Sequence, residues 1–337
     1  MSPRKLDLLQ VVEAAYQLDA PDDVWLLALA EAVRPYLDDG LGLAAFEFTR
    51  APNELPQFSQ RLHLWMPERL AEVYPRLFAN MDPELRQRPF QMGPCVTGSQ
   101  MMGMREEFAE LPQMKQGLQR FGMFDSVWIT ATDPGGHGCG FHAGRREIRW
   151  ASAHELRRWG RIAAHLSSAL RLRAKLKASV AALEAQAVLD PNGKLHHASG
   201  DAREDAAREA LCKAVLSIER ARGPERFEDP DRALGNWQAL VAGQWSLVDQ
   251  LEQDGRRYIV ARQNEPRAHG PEALTDRERQ IVGYAALGHH NKLIAYELGI
   301  ADSTVRVLMA RAASKLGVRT REELVSVARQ SSLKPSG

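Results

Sequence analysis

The sequence predicts a multidomain fold: an α+β amino-terminal region, a long connecting helix, a second small α+β unit and an all-α carboxyl-terminal domain of four helices. A chain of 337 residues that is 44% apolar can bury more than one core. Helical and strand periodicities are mixed through the upstream region, whereas capping boxes and glycines divide the last sixth into short helices. The predicted units occupy residues 1–151, 152–189, 190–265 and 274–330, with a linker at 266–273.

Composition restricts the class of protein without identifying it. The 44 Lys and Arg residues nearly balance the 43 Asp and Glu residues, so any basic surface has to be local. Cys95, Cys139 and Cys212 are too far apart for a disulfide framework or a paired zinc knuckle. Because no apolar run is long enough to span a bilayer and a signal-peptide core is lacking, we expect a cytoplasmic protein.

The first unit mixes helices and strands. A helix behind an Asp cap over Asp22–Leu37 should lead into a strand over Leu41–Phe48. Two β-prone runs flank Asp133–Gly136, whose proline and glycines fit the turn of a hairpin. Further helices are expected over Met66–Asn80 and Pro112–Phe121.

The connecting helix carries a seam with alternating steps of three and four residues: Trp159, Ile162, Leu166, Ala169, Arg173, Leu176, Val180, Leu183 and Ala187. Such a heptad seam can pair with the same helix in a second subunit, which predicts a dimerising connector. Packing of the helix on its own domain explains the seam equally well. Arg173 within the seam counts against a long uninterrupted coiled coil.

Turn and strand signals define the second α+β unit. Asp190–Gly193 is a turn that precedes more helix, and two strands are expected around Asp254–Gly255. The following "PRAHGPEA" has two prolines and a glycine in eight residues, as in a linker.

Four helices are predicted in the carboxyl-terminal unit. The signals that bound them are the capping boxes Thr275/Glu278 and Thr320/Glu323, the glycines Gly288 and Gly299, and helix starts near Asn291 and Asp302. The third helix should bury Val305 and Ala312. Small and basic residues occupy its opposite side, called the recognition face below: Ser303, Arg306, Val307, Ala310, Arg311 and Ser314. Nine basic and six acidic residues between Leu274 and Arg329 give this unit a local positive charge, which permits approach to phosphate.

This unit closely resembles the LuxR-type (GerE-like) helix-turn-helix domain. The matching residues, in register without gaps, are Leu274, Thr275, Arg277, Glu278, Gly288, Asn291, Lys292, Ile294, Ala295, Leu298, Thr304, Val305, Lys315, Leu316 and Glu323. The resemblance implies a DNA-binding domain whose third helix enters the major groove, with dimers that recognise two half-sites. It implies base contacts by Arg306, Val307 and Ala310. It also implies contacts to the DNA backbone by Asn291, Lys292, Ser303, Thr304, Arg311 and Lys315.

Several positions depart from the family pattern. Ala301 replaces the usual serine or threonine cap, so we expect Asp302 to cap the third helix one residue later. Leu308 replaces a frequent histidine and Ala310 an often basic residue, which removes potential DNA contacts. Affinity for a single half-site is therefore expected to be low.

Upstream residues offer little catalytic chemistry. His137, Cys139 and His142 could in principle bind a metal, but a strand would place His142 on the opposite face from the other two. No catalytic set or phosphate-binding loop is found in the sequence, so we expect a protein that is not an enzyme and has no cofactor or resident metal.

The upstream order of elements resembles a GAF-like or PAS-like sensor. A small apolar ligand could lie among aromatic residues such as Phe46, Phe48, Trp65 and Trp128, although core packing is the commoner role of aromatic side chains. We therefore expect a dimeric, sequence-specific transcription regulator with DNA, a small molecule and RNA polymerase as candidate partners. The alternative is a ligand-binding or protein-interaction module whose helical carboxyl-terminal domain contacts a protein.

Overall fold

The computed structural model describes residues 7–51, 54–79, 81–104, 106–111, 114–178, 184–251, 256–268 and 270–331. These residues form two antiparallel sheets, a long helix between them in the chain, and four carboxyl-terminal helices. Within the described ranges, no helix is long and apolar enough to cross a membrane.

Among its described residues, the first unit contains five α-helices and five strands. They are α1 (Leu8–Ala15), α2 (Asp22–Leu37), β1 (Leu43–Thr49), β2 (Gln57–Leu64), α3 (Glu68–Ala79), α4 (Pro83–Gln87), β3 (Cys95–Thr97), α5 (Gly98–Met101), β4 (Asp125–Thr132) and β5 (His137–Arg145). The predicted helix over Asp22–Leu37 and the predicted hairpin around Asp133–Gly136 are confirmed. Pro21 rather than an aspartate is the cap residue of α2.

The five strands form one antiparallel sheet in the order β2-β1-β5-β4-β3. Side chains alternate between its two faces because successive residues of a strand point in opposite directions. Ala45, Ile129 and Phe141 pack with α1, α2 and the long helix in the main core. Phe46 and Trp128 belong to a separate aromatic cluster on the other face.

The remaining elements follow the first sheet. They are α6 (Ala153–Ala178), β6 (Ala185–Leu189), β7 (Leu195–Ala198), α7 (Asp205–Arg222), α8 (Glu225–Glu228), α9 (Pro230–Asn236), β8 (Trp245–Leu251), β9 (Arg257–Gln263), α10 (Asp276–Ala286), α11 (Asn291–Leu298), α12 (Asp302–Leu316) and α13 (Arg321–Ser331). The second sheet has the order β7-β6-β9-β8 and is packed against α7 and α9 through the main core. The four predicted carboxyl-terminal helices are confirmed, with both capping boxes present.

Three sequence predictions require correction. The prediction of one connecting helix over 152–189 is wrong at its carboxyl-terminal end: α6 is described over Ala153–Ala178, and Ala187 lies in β6 of the second sheet. The second α+β unit therefore begins before residue 190, because β6 pairs with both β7 and β9. Of the helix predicted over Pro112–Phe121, the described residues form a π-helical turn at Met114–Leu118 and a 3₁₀ turn at Gln119–Phe121. The predicted seam positions Val180 and Leu183, and the turn Asp254–Gly255, lie outside the described residues.

The seam of α6 packs inside its own chain, as the alternative to the dimerising connector requires. Trp159, Ile162, Leu166 and Ala169 are at most 3% exposed and belong to the main core. The dimer contact predicted along this seam is therefore wrong for the described helix, because these side chains are already covered.

Arg173 is buried because the loop between α1 and α2 supplies acceptors for its guanidinium. Its Nη atoms donate to the carbonyl oxygens of Gln17, Leu18 and Ala20 at 2.7–3.1 Å and to Asp22 at 2.8 Å. The charge is satisfied locally, so a basic residue in an apolar seam ties α6 to the amino-terminal helices.

We predict that Arg173→Met lowers the free energy of unfolding by about 3 kcal/mol, because the buried carbonyl groups lose their donors. Lys177→Met is the matched control. Lys177 bonds the same Asp22 but is more than half exposed, so its loss should cost less than about 1 kcal/mol. Chemical denaturation of both variants measures the difference. Equal losses would contradict this role for Arg173.

Candidate nucleic-acid interface

The recognition face of α12 is open to solvent. Val307 is 50% exposed and the side chain of Arg306 is 68% exposed, while Ser303, Ala310, Arg311 and Ser314 are also exposed. Opposite this face, Val305 and Ala312 are fully buried and attach the helix to two separate apolar clusters. An exposed valine next to an arginine, on a helix anchored from behind, is suited to contact with the edges of bases.

Arg306 is held along the axis of its own helix. Its guanidinium forms an ion pair with Asp302, four residues earlier. The expectation that Asp302 caps α12 is wrong: the cap residue is Ala301, which has no side-chain hydrogen bond to the helix. Asp302 lies in the first turn, where its charge favours the helix dipole and its carboxylate faces Arg306.

The residues that are expected to contact the DNA backbone differ in their exposure and in whether they already have a hydrogen-bond partner. Lys292 and Thr304 are exposed. Asn291 is half-buried and its Oδ1 accepts a hydrogen bond from Arg321 at 2.7 Å. Lys315 donates to Glu278 at 2.7 Å, and the Lys315 ammonium holds the pKa of that carboxyl below its usual value. Lys315 therefore links α12 to the first turn of α10.

Helix α11 positions α12, and it is buried on two sides. Ile294, Ala295 and Leu298 pack in the core of the helical domain. On the other side, Leu293 lies close to Gly160 of α6, and a Cβ atom at Gly160 would be 3.1 Å from its methyl groups. This second apolar face was not predicted from the sequence; its signal was Leu293 and Tyr296 beside the expected core positions.

The Tyr296 hydroxyl connects α11 to α6 and to the second α+β unit. It donates to the carbonyl oxygen of Trp237 at 2.5 Å and is 3.0 Å from Nε2 of His165. Nε2 is also 2.8 Å from the Trp237 carbonyl, which can only accept, so this nitrogen carries the proton. Nδ1 is then free to accept from the Tyr16 hydroxyl at 3.3 Å. Burial lowers the pKa of His165 to about 4, which keeps the ring neutral.

A cavity of about 370 Å³ lies in the first unit, on the side of the sheet opposite α6. Most of its lining is apolar and flexible: Met81, Met101, Met102, Met114, Met123, Leu85, Leu118, Phe108 and Trp128. The remaining lining residues are Tyr74, Asp82, Gly98, Asp125, Ser126 and His142. Methionine side chains adapt to irregular shapes, so this wall can accommodate an apolar molecule.

The buried polar groups of the cavity are satisfied by the protein. Asp125 accepts hydrogen bonds from the backbone N–H groups of Ser99 and Ser126, at 3.0 and 2.7 Å, and from the Ser99 hydroxyl at 2.6 Å. His142 is hydrogen-bonded to Tyr74, and burial lowers its pKa to about 3. The cavity therefore presents a neutral imidazole and a carboxylate whose charge is already compensated, which favours an uncharged ligand.

The structure brings together three of the four aromatic residues named as a possible ligand site. Phe46, Phe48 and Trp128 pack in the aromatic cluster, and of these Trp128 also lines this cavity. Trp65 lies apart and is partly exposed beneath Arg34. His137 is exposed, while Cys139 and His142 are buried. Among the residues with described positions, no group of three histidine, cysteine or acidic side chains could hold a metal ion.

Comparison with known proteins identifies the carboxyl-terminal domain. Residues 272–328 match the family model for bacterial regulatory proteins of the luxR family (GerE), which confirms the resemblance stated for this unit. No curated protein matches the chain. A crystal structure of Escherichia coli SdiA is 12% identical, with 97% of each chain covered and a TM-score of 0.29. A structure of SdiA in complex with octanoyl-rac-glycerol is 14% identical and has a TM-score of 0.25, with 96% of this chain and 92% of that chain covered.

The buried His165 should make stability depend on pH. Between about pH 6.5 and pH 4 the unfolded chain binds a proton at this residue and the folded chain does not. Stability therefore falls as the pH falls through this window, by up to about 3 kcal/mol for a fully buried group. Urea denaturation across this range should show a weaker pH dependence for His165→Gln than for the unsubstituted protein. Parallel curves for the two proteins would contradict the assignment.

Proposed function

We propose that the protein is a sequence-specific, DNA-binding transcription regulator that acts as a dimer. The observation that carries this proposal is the exposed recognition face of α12, set in a domain that matches the luxR family model. Arg306 can donate two hydrogen bonds to a guanine edge, and Val307 can pack on a thymine methyl group. Ala310 is small enough to allow α12 to approach the bases closely.

The DNA backbone would lie along the amino-terminal ends of α11 and α12. Lys292 is exposed at the start of α11, and Ser303 and Thr304 are exposed in the first turn of α12. Helix N-termini and lysine side chains both favour phosphate oxygens. Arg311 would contribute a further positive charge, while Asn291 and Lys315 would have to exchange their present partners for phosphate.

We propose dimeric binding because the affinity of one domain for one half-site is expected to be low. A single recognition face with two arginines, one valine and three small residues offers few base contacts, so two copies on a two-fold symmetric site would supply the missing affinity. We further propose that the protein acts in the cytoplasm and affects RNA polymerase at promoters. Catalytic activity is not part of this proposal.

The upstream region is proposed to sense a small molecule. The support is the apolar, methionine-rich cavity, whose volume of about 370 Å³ lies within the range of small-molecule sites. The compensated carboxylate of Asp125 and the neutral His142 favour an uncharged, largely apolar ligand.

Two substitutions distinguish base recognition from backbone contact. Arg306→Ala should relax the base preference at one position and cost about 1 to 3 kcal/mol with the preferred duplex. Lys292→Ala should weaken binding to all sequences alike and reduce the salt dependence by about one ion. Both are measured by selecting bound fragments from genomic DNA and then titrating the selected duplex at several salt concentrations.

The same titration separates a regulator from a protein-interaction module. Phosphate contacts must produce a decrease in affinity with salt. A chain that shows neither selected fragments nor a salt slope would favour the alternative in which the helical domain contacts a protein. Unchanged selectivity in Arg306→Ala would remove that residue from base recognition.

Ligand binding in the cavity is tested with N-phenylnaphthylamine, an uncharged apolar dye whose fluorescence increases in apolar sites that exclude water. Saturable fluorescence is expected with the full chain, and Met102→Trp should reduce it by filling the cavity. Leu216→Trp is the matched control, because it adds the same side chain at a residue that is 46% exposed on α7. Equal dye binding by both variants would contradict a ligand site at this cavity.

A further inference from the structure

The helical domain is attached to the upstream region at the level of the backbone. A Cβ atom at Gly299, in the turn before α12, would lie 1.9 Å from the carbonyl oxygen of Leu240. A Cβ atom at Gly288, in the turn before α11, would lie 2.8 Å from the carbonyl oxygen of Gln91. Contacts this close leave no room for a side chain, so the two turns that flank α11 lie directly against upstream backbone.

Side chains reinforce this attachment between the two turns. Leu293 is 5% exposed against α6, and the Tyr296 hydroxyl bonds the Trp237 carbonyl. Leu240 belongs to the same apolar cluster as Ile294 and Leu298, so an upstream residue completes the core of the helical domain. A helix that is apolar on both sides is buried on both sides, which indicates that this docking is encoded in the sequence of α11.

Docking does not cover the recognition face. The contacts of Arg277, Tyr296, Gly288 and Gly299 with the upstream region are made from α10, from α11 and from the turns that flank α11. The six residues of the recognition face are all exposed in the docked arrangement. The upstream region therefore restricts the direction in which α12 points and leaves its DNA-facing side chains accessible.

We propose that the docked arrangement is the DNA-binding form, and that docking on the upstream region determines the spacing between the two half-sites that the dimer accepts. This inference rests on the proposed function, because it requires two copies on one DNA site. The upstream region would thereby determine which half-site spacing is bound, by fixing the orientation of the helical domain and without contacting the bases.

The length of the linker sets how far the helical domain could move without docking. A free linker of eight residues, 266–273, would allow the domain to move by roughly 15 Å. That distance is about four base pairs at 3.4 Å each. An undocked pair of domains would consequently accept several spacings, whereas a docked pair would accept one or two.

The test selects DNA fragments from a library in which two copies of the preferred half-site are separated by zero to twelve base pairs. Gly160→Leu introduces bulk between α6 and α11 and leaves the helical domain unchanged, with Arg157→Leu on the exposed side of α6 as its control. Gly299→Ala introduces a clash with Leu240, with Gly317→Ala as its control. Gly317 has a similar positive φ, +67° against +60°, and its Cβ would meet nothing within 4 Å. Hydrogen exchange of α11 in each full-length protein reports docking.

The unsubstituted protein and both controls should select a narrow range of spacings. Gly160→Leu and Gly299→Ala should lose protection in α11 and accept a range wider by three or more base pairs, with the base preference within each half-site retained. The proposal would be overturned if variants that have lost protection in α11 still selected a narrow range of half-site spacings. It would also be overturned if hydrogen exchange of α11 were unchanged in Gly160→Leu and Gly299→Ala. Tighter binding at every spacing would instead show that docking inhibits DNA binding. Absence of selected DNA with the unsubstituted protein would contradict the proposed function itself.

Discussion

Burial of α11 on two sides is the constraint on which the rest of the structure depends. One side completes the core of a small helical domain, and the other side packs on α6 and on the segment that contains Trp237 and Leu240. An eight-residue helix has little stability of its own, so its position is fixed by these two packing faces. Since the turn at Gly299 follows directly, the orientation of α12 is fixed with it.

The buried polar contacts at this junction explain how units that are distant in the chain form one arrangement. His165 lies between Tyr16, Trp237 and Tyr296, which come from three different parts of the chain. A neutral histidine with one protonated nitrogen satisfies donors and acceptors on both sides without a buried charge. The ion pair of Arg171 with Asp133 similarly joins α6 to the β4–β5 hairpin.

Local signals in the sequence predicted a large part of the fold. Capping boxes and glycines defined the four carboxyl-terminal helices, because a cap is a contact between residues three positions apart. The β4–β5 hairpin was predicted because its turn residues are adjacent in the chain. Strand β6 was not predicted because the heptad pattern continues as far as Ala187, where pairing with β9 determines the structure instead.

In the candidate site, too, features that depend on neighbouring residues were predicted, and features that depend on residues distant in the chain were not. Exposure of Arg306 and Val307 followed from helical periodicity, whereas Tyr296 was missed because its partners are 59 or more residues away. The prediction that Asp302 caps α12 was wrong: Asp302 lies within the first turn of the helix and pairs with Arg306. The cavity could not be predicted, because its lining residues are spread from Tyr74 to His142 and their convergence depends on the sheet.

The decisive measurement is hydrogen exchange of the full chain with and without a selected duplex that contains two half-sites. Added protection is expected in the first turns of α11 and α12, where phosphates would cover the backbone, while the slow exchange of the rest of α11 persists. Faster exchange in α11 on DNA binding would contradict the account, because the domain would then have to leave the upstream region in order to bind.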